Sequence, residues 1–130
     1  MLAAVNERQS GVGVQILLVE DHPEVANAQA MLLRALGYQV EIAADGPAAL
    51  DMARSILPDV AIVDIGLPGF DGYQVARSLR ADPMTSSIRL IALTAYGSPE
   101  DRQRAFRSGF EQHLTKPASL EQLRHALAGD

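Results

Sequence analysis

Polar residues with complementary chemistry follow four short segments of this sequence. They are Glu20 with Asp21, then Asp64, Thr94 and Lys116. If the carboxylates converged they would repel one another, and one lysine would not neutralise them. A hard divalent cation would complete the charge balance, and ligation by oxygen alone favours Mg²⁺ over zinc. An aspartate beside Mg²⁺, a lysine and a hydroxyl could attack a phosphoryl group, so these residue types indicate phosphoryl transfer.

Each of these residues also has an ordinary explanation when it is considered alone. Asp64 could cap a turn, and Glu20 and Asp21 could be solvated loop acids. Thr94 could be a simple strand-end hydroxyl and Lys116 a solvated cation. Their joint position at four strand ends favours a shared site, because converging ionisable groups are typical of functional sites.

Short apolar strands are the elements that would position these side chains. Residues 60–63 are apolar enough to be buried on both faces of a sheet, residues 16–19 form a fully apolar first strand, and residues 88–93 form a further apolar run. Residues 38–43 alternate weakly, which indicates a half-exposed strand, and residues 110–114 predict a short fifth strand.

Five helices are predicted to alternate with these strands. The first spans residues 24–36, where Val25, Ala28 and Leu32 recur at helical spacing. The second starts at Asp45-Gly46-Pro47 and runs to about residue 56. The expected N-caps of the remaining three helices are Asp71, Ser98 and Ser119.

This alternation predicts a doubly wound α/β fold, a parallel sheet with helices on both faces and right-handed crossovers. The pattern leaves the order of the strands open. Ligands of such sheets bind at the carboxyl ends of the strands, which is where Asp64 would lie.

Length and composition limit the classes of protein to which the chain could belong. Its 130 residues fit one domain, which we place at residues 14–130, after a flexible leader at residues 1–13. A net charge of −5 argues against partners such as nucleic acid or an anionic membrane. The sequence lacks cysteine, which excludes disulfides and thiolate zinc sites. No apolar run approaches the ~18 residues of a membrane span, so a cytoplasmic location is expected.

The polar residues at the strand ends also carry a resemblance to a known family. Over residues 14–128 the chain resembles the receiver domain of bacterial two-component response regulators, and it is similar to receivers attached to hybrid histidine kinases. The resemblance rests on Glu20-Asp21, on Asp64 in Asp-Ile-Gly-Leu-Pro-Gly-Phe-Asp-Gly, on Thr94-Ala95 and on Lys116-Pro117. It implies a flavodoxin-like five-stranded sheet of order 2-1-3-4-5, in which strands one and three are neighbours at the topological switch point.

The resemblance further implies how the acidic residues act. Asp64 is similar to the phosphoacceptor that receives a phosphoryl group from a histidine kinase or a histidine phosphotransfer domain. Asp21 resembles a direct Mg²⁺ ligand, Glu20 a ligand acting directly or through water, and the carbonyl of Gly66 the backbone ligand. Mn²⁺ is expected to be able to substitute for Mg²⁺.

The resemblance also assigns roles to residues at the ends of the last two strands. Lys116 is similar to the lysine that pairs with phosphoryl oxygens, Thr94 resembles the hydroxyl that moves toward them, and the Lys116-Pro117 peptide is expected to be cis. Phosphorylation adds negative charge and acceptor oxygens. Thr94 and Lys116 would bind these oxygens, and the loops after strands four and five would shift as they do so. The surface formed by helix four, strand five and helix five would then change its partner binding, dimerisation or onward phosphotransfer.

Three positions depart from the family pattern. His113 occupies the place of the switch aromatic, three residues before Lys116, and its titration could make the output sensitive to pH. The alternative is a strand histidine with no switching role. Gly66 and Tyr96 stand where the family tunes self-dephosphorylation, and neither offers a carboxylate or amide to align water. We therefore predict a long-lived phosphoryl group, with Tyr96 as a shield.

Two other functions use related sites. An aspartate-based Mg²⁺-dependent phosphohydrolase of the haloacid-dehalogenase kind also forms a phosphoaspartate, but it needs a second aspartate where Gly66 stands. A flavodoxin-like electron carrier would need a first loop that accepts a phosphate, which Glu20 and Asp21 would repel. The sequence therefore favours a signalling module and not a turnover enzyme.

Overall fold

Five strands and five helices alternate along the chain in a computed structural model that describes residues 13–95 and 97–129. The strands are β1 (Gln15–Val19), β2 (Gln39–Ala43), β3 (Val60–Asp64), β4 (Arg89–Thr94) and β5 (Gln112–Thr115). The helices are α1 (Pro23–Ala35), α2 (Gly46–Ile56), α3 (Gly72–Ala81), α4 (Pro99–Ser108) and α5 (Leu120–Ala128). The leader expected at residues 1–13 lies, except for Gly13, outside the described residues, as does Tyr96.

The strands form one parallel sheet in the order β2-β1-β3-β4-β5, as the family resemblance implied. Every residue of the central strand β3 is buried, which explains why its sequence is apolar without alternation. In the register of the sheet, Val19 pairs with Val63 and Asp64 pairs with Leu93. The carboxyl ends of β1, β3 and β4 therefore lie side by side.

Two apolar clusters hold the helices against the two faces of the sheet. One cluster joins alternate strand residues to the buried sides of α2, α3 and α4, including Ala53 and Leu79. The other joins the opposite strand residues to α1 and α5, including Leu33 and Leu127. This arrangement confirms the prediction of helices on both faces.

The helix ends agree with the capping residues expected from the sequence. Asp71 and Ser119 each accept a hydrogen bond from the backbone N–H three residues on, and each forms a capping box with a glutamine. Ser98 accepts a hydrogen bond of 3.1 Å from the N–H of Asp101. These contacts involve near neighbours in the chain, so the local sequence was sufficient to predict them.

The buried side of α1 differs from the apolar spacing that identified the helix. Ala26, Ala30 and Leu33 pack on the sheet, whereas Val25 is 41% exposed and Leu32 is 49% exposed. The helix has apolar residues on two sides. The side with two alanines packs inward, because small side chains allow the helix to lie close to the sheet.

The fifth strand begins two residues later than the sequence suggested. Gly109 ends α4 with a φ of 114°, and the N–H of Phe110 still donates a hydrogen bond of 3.1 Å to the carbonyl of Ala105. Phe110 therefore completes the end of the helix, and its buried ring belongs to the core. Among the described residues, no helix has both the length and the apolar character needed to cross a membrane.

Candidate functional site

The five polar residues predicted at strand ends meet at the carboxyl edge of the sheet. Glu20 continues β1 beyond Val19, and its N–H donates a 3.1 Å hydrogen bond to the carbonyl of Ala43. Asp64 is the last residue of β3 and Thr94 the last of β4. The N–H of Lys116 donates to the backbone carbonyl of Thr94 at 2.7 Å, which joins the end of β5 to the same edge.

Lys116 links the two most buried carboxylates of this edge. Its Nζ lies 3.1 Å from Glu20 Oε1 and 3.0 Å from Asp64 Oδ2. Glu20 is 2% exposed and Asp64 is 6% exposed, so both charges are largely removed from water. Lys116 is the only lysine in the sequence, and the peptide that follows it, Lys116-Pro117, is cis as expected.

The turn after β3 orients the carboxylate of Asp64. The N–H of Gly66 donates a 2.9 Å hydrogen bond to Asp64 Oδ1, while the other carboxylate oxygen faces Lys116. Gly72 allows the chain to return beneath this turn, since a Cβ there would lie 2.7 Å from the carbonyl oxygen of Asp64. The sequence reasoning missed Gly72, because the close approach is made with the backbone of Asp64 across the turn and not with a neighbour in the chain.

Burial and mutual charge shift the pKa values of Glu20, Asp64 and Lys116 in different directions. Burial, followed by the neighbouring Asp64, raises the pKa of Glu20 above its ordinary value, and Lys116 offsets this only in part. Burial alone would raise the pKa of Asp64, but contacts with Glu20, the Gly66 N–H and Lys116 outweigh it and lower that pKa. Burial opposes the charge of Lys116, yet the two carboxylates raise its pKa overall. Asp64 is therefore the ionised carboxylate and Glu20 the more readily protonated one.

Two oxygens of the edge are suited to a cation. Glu20 Oε2 and Asp21 Oδ1 are buried and have no hydrogen-bond partner among the described residues. Buried carboxylate oxygens are normally satisfied by hydrogen bonds or by metal ions. The residues present thus fit a hard divalent cation. Donor atoms of Glu20, Asp21 and the adjacent His22 lie within 4.8 Å of one another. The sequence reasoning gave His22 no role, although it directly follows the two acids.

The loop after β4 packs closely on the end of β5. Thr94 is 6% exposed, and its position pairs with Thr115 in the register of the two strands. A Cβ on Gly97 would lie 2.7 Å from Thr115 Oγ1, so the absence of a side chain there permits the close approach. The suggested shielding by Tyr96 concerns a residue outside the described part of the chain and stays a prediction.

His113 is buried in β5. It is 9% exposed, and neither ring nitrogen has a hydrogen-bond partner among the described residues. Burial, followed by the charge of Arg102, lowers the pKa of His113, and Asp101 opposes this shift. The imidazole is therefore neutral at neutral pH and occupies the space of an apolar strand side chain.

Comparison with known proteins identifies a family and several relatives that are similar to this chain. The family model described as "Response regulator receiver domain" matches residues 16–128. Transcriptional regulatory protein TrcR of Mycobacterium tuberculosis is 38% identical over 122 residues, covering 94% of this chain and 47% of that protein. Sensor histidine kinase RcsC of Salmonella typhi is 34% identical over 115 residues, covering 88% of this chain and 12% of that protein. The chain thus spans about half or less of the length of these relatives.

Solved structures give the same result at the level of the fold. Chemotaxis protein CheY4 of Vibrio cholerae superposes with a TM-score of 0.83 at 31% identity, covering 88% of this chain and 95% of that one. The receiver domain of sensor histidine kinase PA1611 of Pseudomonas aeruginosa superposes with a TM-score of 0.80 at 34% identity, covering 92% and 100%. That structure has a magnesium ion coordinated in its active-site cleft.

Proposed function

The chain belongs to the response regulator receiver domain family, and from this membership we propose that Asp64 accepts a phosphoryl group from a histidine kinase or histidine phosphotransfer domain. The observation that carries the proposal is the contact of one ammonium, Lys116 Nζ, with both Glu20 Oε1 at 3.1 Å and Asp64 Oδ2 at 3.0 Å. Receiver domains are signalling domains, and a carboxylate held between a lysine and a backbone N–H is prepared for nucleophilic attack on phosphorus.

Asp64 is the nucleophile in this proposal. Its lowered pKa keeps it ionised, and the Gly66 N–H and Lys116 fix the direction of its two oxygens. The bond between phosphorus and the donor's imidazole nitrogen breaks as the bond to an Asp64 oxygen forms, and the imidazole ring keeps the electron pair and takes up a proton. Lys116 can then turn its ammonium toward the new phosphoryl oxygens, because charge-assisted hydrogen bonds to phosphate are strong.

Mg²⁺ would be held by Asp21 and Asp64, by the carbonyl of Gly66 and by Glu20 directly or through water. The buried oxygens Glu20 Oε2 and Asp21 Oδ1, which have no hydrogen-bond partner among the residues that the structure describes, support this assignment. When bound, the cation neutralises negative charge on the transferring oxygens. Mn²⁺ is proposed to substitute, since it also accepts carboxylate and carbonyl oxygens. The magnesium in the cleft of the PA1611 receiver supports the same choice here.

The phosphoryl donor is proposed to dock on the exposed apolar side of α1. This stripe consists of Val25, Ala28, Met31 and Leu32, and Met31 is 70% exposed. The helix begins at Pro23, two residues after Asp21, so the stripe leads directly away from the phosphoacceptor edge. An apolar helix face of this kind suits the amphipathic helix of a partner. The partner's phosphohistidine would then lie above Asp64.

The output is proposed to pass through the surface made of α4, β5 and α5. The hydrogen bond from the Lys116 N–H to the Thr94 carbonyl joins the ends of β4 and β5. A movement of Thr94 toward a phosphoryl group would therefore also move β5, where His113 is buried. Phe106 on α4 is 55% exposed and is available to a partner or to a second copy of the chain. Dimerisation, partner binding and onward phosphotransfer are all proposed outputs of this surface.

We propose that the domain is a signalling module and has no turnover chemistry of its own. The phosphohydrolase alternative requires an acid two residues after the nucleophile, and the exposed Gly66 stands there. The net charge of −5 supports protein partners and argues against direct contact with nucleic acid or anionic membranes. A cytoplasmic location is proposed, because kinases that form phosphohistidine need ATP.

The proposal is tested by intact-protein mass spectrometry after incubation with acetyl phosphate and Mg²⁺. Wild type should gain one phosphoryl group, and Asp64→Ala should gain none. The matched control is Asp51→Ala, which removes an exposed aspartate on α2 and should be phosphorylated like wild type. An adduct on Asp64→Ala, or none on wild type, would contradict the proposed function.

A further inference from the structure

The imidazole of His22 lies beside the candidate metal site. His22 is the residue before α1, where side chains commonly accept a hydrogen bond from the first turn of the helix. It makes no such bond to the described residues. Its Nδ1 lies 3.3 Å from Asp21 Oδ1 and 3.6 Å from Glu20 Oε2. The ring therefore lies over the carboxylates and not over the helix terminus.

The two oxygens that face His22 are the same two that have no hydrogen-bond partner in the described part of the chain. Glu20 Oε2 belongs to a side chain that is only 2% exposed, so an unpartnered atom there is costly unless a cation binds it. Asp21 Oδ1 is likewise buried and has no hydrogen-bond partner within residues 13–95 and 97–129. By contrast, the other oxygen of Glu20 and Asp64 Oδ2 are engaged by Lys116. Glu20 Oε2, Asp21 Oδ1 and His22 Nδ1 thus form a compact group of two carboxylate oxygens and one imidazole nitrogen.

A donor set of two oxygens and one nitrogen suits cations other than Mg²⁺. Mg²⁺ is bound almost entirely by oxygen and retains several waters. Imidazole favours late first-row divalent cations such as Co²⁺, Ni²⁺ and Zn²⁺. The composition of the site therefore predicts that it binds late first-row divalent cations more tightly than an all-oxygen site would.

The structure assigns His22 as a nitrogen ligand that, together with Glu20 and Asp21, lets this edge bind a late first-row divalent cation in competition with Mg²⁺. The assignment rests on the proposed function to the extent that Glu20 and Asp21 form the Mg²⁺ site. It adds a ligand and a class of cation to that site. Because both cations need Asp21, occupancy by one should exclude the other.

The test is calorimetric binding of Ni²⁺ and of Mg²⁺ to protein whose affinity tag has been removed. His22→Ala should weaken Ni²⁺ binding by about 10-fold or more, whereas the Mg²⁺ affinity should change by less than about twofold. The matched control is His125→Ala. That histidine is 68% exposed and lies 3.8 Å from Glu121, much as the 70% exposed His22 lies beside its acids. The control should bind both ions like wild type.

A second variant and a spectroscopic readout keep the inference independent of folding effects. His22→Asn places a favourable helix-capping residue at this position but has no imidazole, so it should lose Ni²⁺ affinity as His22→Ala does. With Co²⁺ bound, wild type should show a strongly shifted imidazole N–H resonance in its proton NMR spectrum, and both variants should lack it. Unchanged Ni²⁺ affinity in the variants, an equal loss in His125→Ala, or an equal loss of Mg²⁺ affinity would overturn the inference.

The failure of the proposed function would look different. If Asp21→Asn left Mg²⁺ binding unchanged, the proposed Mg²⁺ site would be wrong, whatever His22 does. The role of His22 is read from Ni²⁺ and Co²⁺ alone. The two conclusions can therefore fail separately.

Discussion

Replacing Lys116 with methionine should destabilise the fold through the carboxylates that the lysine leaves behind. Lys116→Met keeps an unbranched side chain of similar length and removes the ammonium that lies 3.1 Å from Glu20 and 3.0 Å from Asp64. Breaking a buried ion pair by removing one partner costs about 3–5 kcal/mol, since the other charge stays buried without compensation.

The expected magnitude is somewhat smaller than that of a fully buried pair. The side chain of Lys116 is 26% exposed, so water screens part of the interaction. We expect a loss of about 2–3 kcal/mol at pH 7 without divalent cations, which corresponds to a fall in Tm of roughly 10 °C for a domain of this size.

The assay is urea unfolding followed by circular dichroism in buffer containing EDTA. In the double variant Glu20→Gln/Lys116→Met one buried charge is gone, so the loss caused by Lys116→Met should shrink by at least about 1 kcal/mol. The control Arg54→Met breaks an exposed pair with Asp82, where the arginine is 62% exposed, and should cost less than about 1 kcal/mol.

Two results would refute this reasoning. A loss below about 1 kcal/mol for Lys116→Met would mean that the carboxylates do not depend on the ammonium. An equal loss with and without the Glu20→Gln substitution would mean that Lys116 does not stabilise the fold through the charge of Glu20.

Four further predictions concern the metal, the buried histidine, the phosphoryl lifetime and the docking helix. Mg²⁺ at 100 times its Kd should stabilise wild type by about 2.7 kcal/mol, and thermal unfolding should find this gain largely lost in Asp21→Asn. The lowered pKa of His113 means that its contribution to stability is present above the ordinary value of 6.5 and is lost as the pH falls through the folded-state pKa. Wild type should therefore lose stability relative to His113→Phe between pH 7 and 5.5, by at most about 1.4 kcal/mol per pH unit, and parallel curves for the two proteins would contradict this. Gly66→Asn should shorten the phosphoryl lifetime by about 10-fold or more by supplying an amide for the attacking water; a Cβ at Gly66 would be 3.5 Å from Asp64 Oδ1, which is an ordinary contact. Leu32→Glu on α1 should slow phosphotransfer from the partner while leaving phosphorylation by acetyl phosphate intact, and Met84→Glu, which changes a 54% exposed residue remote from α1 in the sequence, should slow neither.

Much of the fold followed from short stretches of sequence. The caps Asp71, Ser98 and Ser119 act on backbone groups three residues away, so their role was visible locally. The apolar run before Asp64 likewise predicted a fully buried strand. The strand order, by contrast, did not follow from any short stretch of sequence. It came from the family resemblance, since hydrophobic periodicity carries no information on which strands are neighbours.

The sequence by itself determined which residues stand at the ends of parallel strands, and therefore which chemical groups share one edge of the sheet. The tertiary structure alone decided how those groups are paired and which sides are buried. It placed Lys116 between Glu20 and Asp64, turned the Val25 and Leu32 side of α1 outward, and enclosed His113. The reason is physical. Capping and strand burial depend on neighbours along the chain, whereas pairing, exposure and pKa depend on neighbours in space that lie far apart in sequence.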